Sequence, residues 1–457
     1  MGPWVTTFEG VEYRVVFLNP DSRTLLVAAY FDGYRLPRVR IAPLTRPAKE
    51  LRRAMWETFG IDALILAFLA ASAPSAPCTV AEILSLGVPS SLKQIRLSDV
   101  PASELSDEER FGLAKIFQGE AESPFSRLGW IEEARAWLET TTGHRVSSPR
   151  GFEQYNAGAG FTLVRFRMED GSAYWLKATG EPNTHEMAVT FSLSRLCGEY
   201  LPAFVASNAS WNAWIAVEEA ARLDEFPKNP RELLPFLENA VGSMAAVQRR
   251  TAGHADSLLQ AGAFDQRLAT LSSHSDAFFS YLGEAMERQT STKAPRIERQ
   301  RLQQLRHIFD LACVRLDALG LPETVVHGDM NAGNILVGPS HCQFIDWAEA
   351  YIGSPLITLQ HLLLLNQIEG HSTKMRSDEV LKDRYHGVLS EICDVDKFDE
   401  GYAYIPLVAA FSALYARGDW LTTELRNDPR RQAYARTLAR CMDRAACEPQ
   451  LGAALRG

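Results

Sequence analysis

Val325-Val-His-Gly-Asp-Met-Asn-Ala-Gly-Asn-Ile-Leu-Val337, followed by Gln343-Phe-Ile-Asp-Trp347, is the stretch whose reading decides the fold. Apolar runs flank a polar loop, and a second apolar run ends in an aspartate, so short strands are expected at 334–337 and 343–345. Such a pair would deliver His327, Gly328, Asp329, Asn334 and Asp346 to one place. These residue types suit phosphoryl transfer, in which the protein positions a metal and an attacking hydroxyl and does little covalent work itself. Asp329 is the candidate catalytic group, aligning the hydroxyl or accepting its proton late. Asn334, five residues on, can return an amide oxygen to magnesium, and Asp346 a carboxylate from the far strand; magnesium takes oxygen ligands. His327 is expected to brace the loop by hydrogen bonds and Gly328 to permit its turn. The plainer alternative is a hairpin bounded by turn residues, since Asp and Asn favour turns. So many polar residues at these positions between apolar runs argue against it.

The order H-G-D-x-x-x-x-N, short hairpin, then hydrophobic-I-D-W resembles the aminoglycoside phosphotransferase and choline kinase family, and the resemblance covers about residues 150–445. It implies an α+β, two-lobed, protein-kinase-like phosphotransferase fold. It also implies ATP or GTP as phosphate donor, Mg2+ as cofactor and a small-molecule hydroxyl as acceptor. Family members act on aminoglycosides, choline, homoserine, sugars and other hydroxyl compounds, and the sequence does not choose among them.

Upstream of the motif, strands 161–167 and 173–178 are joined by Glu169-Asp-Gly-Ser, a hairpin signal. Lys177 lies in the second, otherwise apolar strand and is the candidate to hold the α- and β-phosphates; a surface lysine on an edge strand is the alternative. Its carboxylate partner is expected to be Glu186, in the following helix at 184–196, rather than Glu181, which precedes a proline. Gly158 and Gly160, in Asn156-Ala-Gly-Ala-Gly160, could offer backbone N–H groups to phosphates. Residues 214–220 are read as the link between lobes, with backbone near Glu218 and Glu219 meeting the purine. Beyond Pro230 the pattern turns helical, at 232–249, 265–288 and 298–319.

The leading segment, residues 10–70, is similar to a Nudix-type domain with a degraded site. Strand, turn, strand, Leu36-Pro37 and a helix at 48–59 stopped by Gly60 follow that order. Of the pattern G-x5-E-x7-R-E-U-x-E-E-x-G-U, Arg53, Met55, Glu57, Gly60 and Ile61 remain, whereas Val39, Thr45, Ala54 and Thr58 depart from it. Diphosphate cleavage needs several carboxylates around its cations, so no hydrolase activity is expected there. Scaffolding, substrate selection or dimerisation would be its role, and an unrelated α/β segment is the alternative. A capping signal at Ser106 starts one helix, and Trp130 starts another. The expected division is therefore 1–120 Nudix-like, 121–150 helical linker, 151–220 nucleotide-binding lobe and 221–457 helical lobe.

The composition of the 457 residues, 46% hydrophobic and 23% charged with a net charge of −9, is that of an ordinary globular protein and suggests no nucleic-acid surface. Seven scattered cysteines without a CxxC pair fit reduced core thiols in a cytoplasmic protein. No secretory leader and no membrane span are expected; a homo-oligomer is left open. A protein kinase is disfavoured because Asp346-Trp347 stands where Asp-Phe-Gly is expected and no Ala-Pro-Glu follows. The other competing class is a non-catalytic nucleotide-binding regulator, against which the intact Lys177, Asp329, Asn334 and Asp346 speak.

Overall fold

The computed structural model describes residues 10–456 except 21, 32, 44, 45, 70–75, 85, 86, 88, 122, 149, 227 and 228. Thr45 and most of the loop expected at 71–77 lie outside the described residues. The chain divides into two compact units, one running to Met187 and including Ala203–Glu218, the other made of Ala188–Pro202 and Glu219 onward.

The first unit begins with β1 (Val11–Asn19), β2 (Thr24–Tyr30), β3 (Gly33–Arg35), β4 (Arg38–Ile41), α1 (Ala48–Phe59), β5 (Ala63–Leu69), β6 (Cys78–Ile83) and β7 (Leu92–Ile95). These strands form one seven-stranded sheet with the path β3-β2-β1-β6-β5, β4 pairing with β1 and β7 with β2. Central β1 is covered on both faces, which is why it reads as the continuous apolar run Val15-Val-Phe-Leu18. Val15 and Phe17 join a core with Leu51 and Met55 of α1; Val16 and Leu18 face a second core. Helix α1 ends where the sequence says it should, at Gly60 in the left-handed region (φ 68°), whose N–H bonds to the Trp56 carbonyl.

Next come α2 (Asp107–Gln118) and α3 (Trp130–Thr142). The capping box of α2 is formed by Ser106 and Glu109, and Glu109 has a second task. It pairs with Arg14 at 2.6 Å, both side chains being almost fully buried. The Arg14 guanidinium also donates to the carbonyls of Ala76 (2.9 Å) and Glu104 (2.5 Å), which gives a buried ion pair the further bonds it needs.

A five-stranded antiparallel sheet follows, β8 (Phe152–Asn156), β9 (Phe161–Arg167), β10 (Ala173–Thr179), β11 (Phe204–Asn208) and β12 (Ala213–Val217), in the order β11-β12-β10-β9-β8. One of its faces, with Val164, Phe166, Leu176, Ala178 and Ile215, shares the second core with Val16, Leu18, Leu64 and Leu66 of the leading sheet and with Trp130, Ala134 and Leu138 of α3. The leading segment is thus built into this unit. At the junction Gln154 of β8 meets the edge strand β5: its amide accepts from the Ile65 N–H (2.9 Å) and donates to the Ile65 carbonyl (2.8 Å). Those bonds satisfy backbone groups that an edge strand otherwise leaves open. Helix α4 (Glu186–Cys197) comes between β10 and β11 in the chain, and its residues from Ala188 onward belong to the second unit.

In the second unit, α5 (Pro230–Thr251) lies beside two small sheets. One is β13 (Ala221–Arg222), β16 (Ile335–Val337) and β17 (Cys342–Phe344); the other is β14 (Phe264–Asp265), β18 (Tyr351–Gly353) and β15 (Thr324–Val326). Helix α5 fixes both, through Gln248 Nε2 to the Val325 carbonyl (3.0 Å) and the Cys342 N–H to Ser243 Oγ (2.9 Å). The single helix expected over 265–288 is not formed. Phe264 and Gln266 instead donate to the Ala350 and Ile352 carbonyls, and helix resumes as Leu268–Ser273 and Ser275–Glu287. Five of the seven cysteines are buried. Among the described residues no helix is long and apolar enough to cross a membrane.

Candidate active site

In the second unit, buried β15 leads into His327, itself fully buried. Its Nε2–H donates to the Ile345 carbonyl at 2.9 Å, and its ring centroid lies 4.6 Å from that of Trp347. Ile345 also donates its N–H to the Asn334 carbonyl at 3.1 Å. Two bonds to one residue therefore tie both ends of the 327–334 loop to the strand end that carries Asp346. His361 lies near His327, and burial, reinforced by that neighbour, pushes its imidazole down to about 4, so it is neutral at pH 7.

Gly328 has φ 80°, and a Cβ there would sit 1.9 Å from the Glu349 carbonyl oxygen. Only glycine lets the loop pass this close to the end of the short helix Trp347–Glu349. The same Glu349 pairs through its carboxylate with Arg417 at 3.1 Å.

Asp329 is exposed at the loop's crest. The Asn334 Nδ2 donates to the Asp329 carbonyl (2.8 Å) and to its Oδ2 (3.1 Å). With the amide nitrogen engaged, Asn334 Oδ1 remains the acceptor face of a largely buried side chain. Asn331, which the sequence reading passed over, donates to the Asp329 carbonyl (3.2 Å) and Oδ1 (3.1 Å) and accepts from the Gly333 N–H (2.9 Å). An Asx turn two residues beyond the aspartate was the available signal. Asp346 adopts φ 69°, ψ 63°, the left-handed region that aspartate enters more readily than most side chains. That turn departs from the strand and begins the short helix Trp347–Glu349. An amide oxygen and a carboxylate are both hard-oxygen groups of the kind magnesium takes.

The first unit holds the other group of candidate residues. Lys177 Nζ lies 2.5 Å from Glu186 Oε1, with side-chain exposures of 13% and 1%. The structure thus brings together the pair read from the sequence. Glu181 sits in the preceding turn with its carbonyl against Gly160. Lys177 Nζ also lies 5.0 Å from the Phe161 ring and 5.7 Å from that of Trp214. Gly158 has φ 116° and accepts from Thr162 Oγ1 at 3.0 Å, while Gly160 accepts from the Gly180 N–H at 3.0 Å.

Glu218 and Glu219 fall in different units. The Glu218 N–H is spent on the Ala173 carbonyl (3.0 Å), and its carboxylate takes both arms of Arg165, at 2.5 and 2.6 Å. Glu219 accepts from Gln343 Nε2 at 3.0 Å.

A model of the phosphotransferase enzyme family matches residues 131–373. No curated protein matches the chain. Among solved structures, the macrolide 2'-phosphotransferase of Brachybacterium faecium is 15% identical, with 67% of this chain and 96% of that one covered and a TM-score of 0.44. A choline/ethanolamine kinase family protein from Mesorhizobium loti is 15% identical, covering 72% and 99%, with a TM-score of 0.40. The ethanolamine kinase of Plasmodium vivax is 14% identical, covering 66% and 84%, also with a TM-score of 0.40.

Proposed function

Because this chain belongs to the phosphotransferase enzyme family, we propose that it transfers the γ-phosphate of ATP or GTP to a hydroxyl group of a small molecule. The observation that carries this reading is the Asp329–Asn334 clasp, in which one side chain both holds the exposed carboxylate and turns its amide oxygen away from it. Asp329 accepts a hydrogen bond from the acceptor hydroxyl, aligns it for attack and takes its proton as the new bond forms. Asn334 Oδ1 and Asp346 would hold magnesium, which would neutralise charge on the phosphates. Lys177, oriented by Glu186, holds the α- and β-phosphates, and backbone at Gly158 and Gly160 approaches them. The purine is assigned to backbone at 218–219, excluding the Glu218 N–H, which the sheet already uses. His327 and Gly328 position the loop and touch no substrate.

The leading segment enters this reading as a degenerate Nudix-like scaffold without hydrolase chemistry of its own. Glu57, the surviving glutamate, lies exposed 4.0 Å from Arg53, a surface pair rather than a cation site.

Magnesium titrated against bound nucleotide tests the assignment. Asp346→Ala is expected to abolish magnesium-dependent binding, and Asn334→Ala to raise the magnesium requirement about tenfold, the loss of one charge-assisted ligand. Wild-type titration curves in both variants would place the metal elsewhere.

A further inference from the structure

We infer that Arg46, contributed by the leading segment, is a phosphate-binding residue of the nucleotide site; the inference rests on the reading of Lys177 given above. Arg46 precedes α1 and is exposed. Its guanidinium carbon lies 5.4 Å from the centroid of the Phe161 ring, the ring that also receives Lys177 Nζ at 5.0 Å. Two cations from distant parts of the chain thus converge on one aromatic side chain. That side chain follows Gly160, the last residue of the glycine-rich loop. In the β9–β10 ladder Phe161 stands opposite Thr179 and Leu163 opposite Lys177. Residues alternate along a strand, so Phe161 and Lys177 share the face of the sheet opposite the one in the leading core.

The loop itself is anchored from the same direction. Ala157 is 8% exposed and packs into the core formed by Val15, Phe17, Leu51 and Met55 of the leading segment. At its other end a Cβ on Gly180 would lie 2.1 Å from the Ala159 carbonyl oxygen, so the close pass of these two backbones fixes the loop's height. The leading segment therefore sets where the loop's N–H groups lie and places an arginine beside it.

The chemistry favours a phosphate as the ligand. The charge of Lys177 is largely balanced by Glu186, whereas a nucleoside triphosphate brings about four negative charges and magnesium cancels two of them. A guanidinium matches phosphate oxygens in a bidentate fork that an ammonium cannot offer. A role confined to stacking on Phe161 would need no ligand at all, and the two roles separate experimentally.

The test uses the full chain and isothermal titration with magnesium ATP and magnesium GTP. Arg46→Ala is expected to raise the dissociation constant of the preferred nucleotide about tenfold or more, as for one lost charge-assisted bond. Arg46→Lys should recover part of that loss. Wild-type affinity in Arg46→Ala, alongside weakened binding in Lys177→Met, would overturn this inference and leave the proposed function standing. Equal losses in Arg46→Ala and Arg46→Lys with a lowered thermal midpoint would also overturn it, because the side chain would then be structural. A wild-type chain that binds neither nucleotide would overturn the functional reading and this inference with it.

Discussion

At the scale of single residues, Gly328 shows how little room the 327–334 loop has. A methyl group there meets a carbonyl oxygen at 1.9 Å and must also hold φ 80°, a conformation that costs a β-carbon about 1 kcal/mol or more before any clash. Gly328→Ala is therefore expected to lower stability by about 2–5 kcal/mol. Chemical denaturation would register the loss; an unchanged midpoint would mean the backbone at Glu349 yields easily. The residues of this loop were legible because His327, Gly328, Asp329, Asn334 and Asp346 lie at short sequence separation. Asp346's left-handed backbone was not legible, since aspartate is merely permitted there, not required. Gln154 was equally silent, because its partner Ile65 lies 89 residues away and a glutamine in a strand carries no local signal.

At the scale of elements, α3 owes its entry to a buried carboxylate. Glu82 of β6, 4% exposed, accepts from the N–H of Gly129 through both oxygens, at 3.1 and 3.0 Å, at the N-terminus of α3. Burial pushes its carboxyl up to about 7; the Gly129 N–H opposes the shift and Glu132 adds to it. Its ordinary value is 4.5, so the folded state binds this proton more tightly than the unfolded chain does. The resulting stability is complete below about pH 4.5 and is lost as pH rises through about 7. The protein should lose about 1–3 kcal/mol between pH 5 and 8 from this group, the N-terminus of α3 moderating the cost. Glu82→Gln keeps the hydrogen bond and should flatten the pH dependence of the denaturation midpoint by that amount; parallel profiles would remove Glu82 as the cause. Helix α1 was legible to its last residue because Gly60 is a local stop. The late start of the helix expected from 265 was not, because it is imposed by pairing of β14 with β18, a strand far along the chain. Tertiary pairing overrode helical propensity there.

At the scale of the whole molecule, the order of a sheet-rich part followed by a helical part was readable from periodicity. The way the leading segment joins the chain was not. The family match begins at residue 131, yet residues well before it complete the core behind the sheet that carries Lys177. Each side of that core reads locally as a self-sufficient apolar pattern, so nothing in the sequence declares that they are one. The central claim is that Asp329 serves magnesium-dependent phosphate transfer to a hydroxyl. It is tested most directly by following label from γ-labelled ATP and GTP into a panel of hydroxyl metabolites and antibiotics, with the wild-type chain and with Asp329→Asn. The account predicts transfer to at least one acceptor by the wild type. In the variant, turnover should fall by about a hundredfold or more while nucleotide affinity is retained. Near-normal turnover in Asp329→Asn would contradict it.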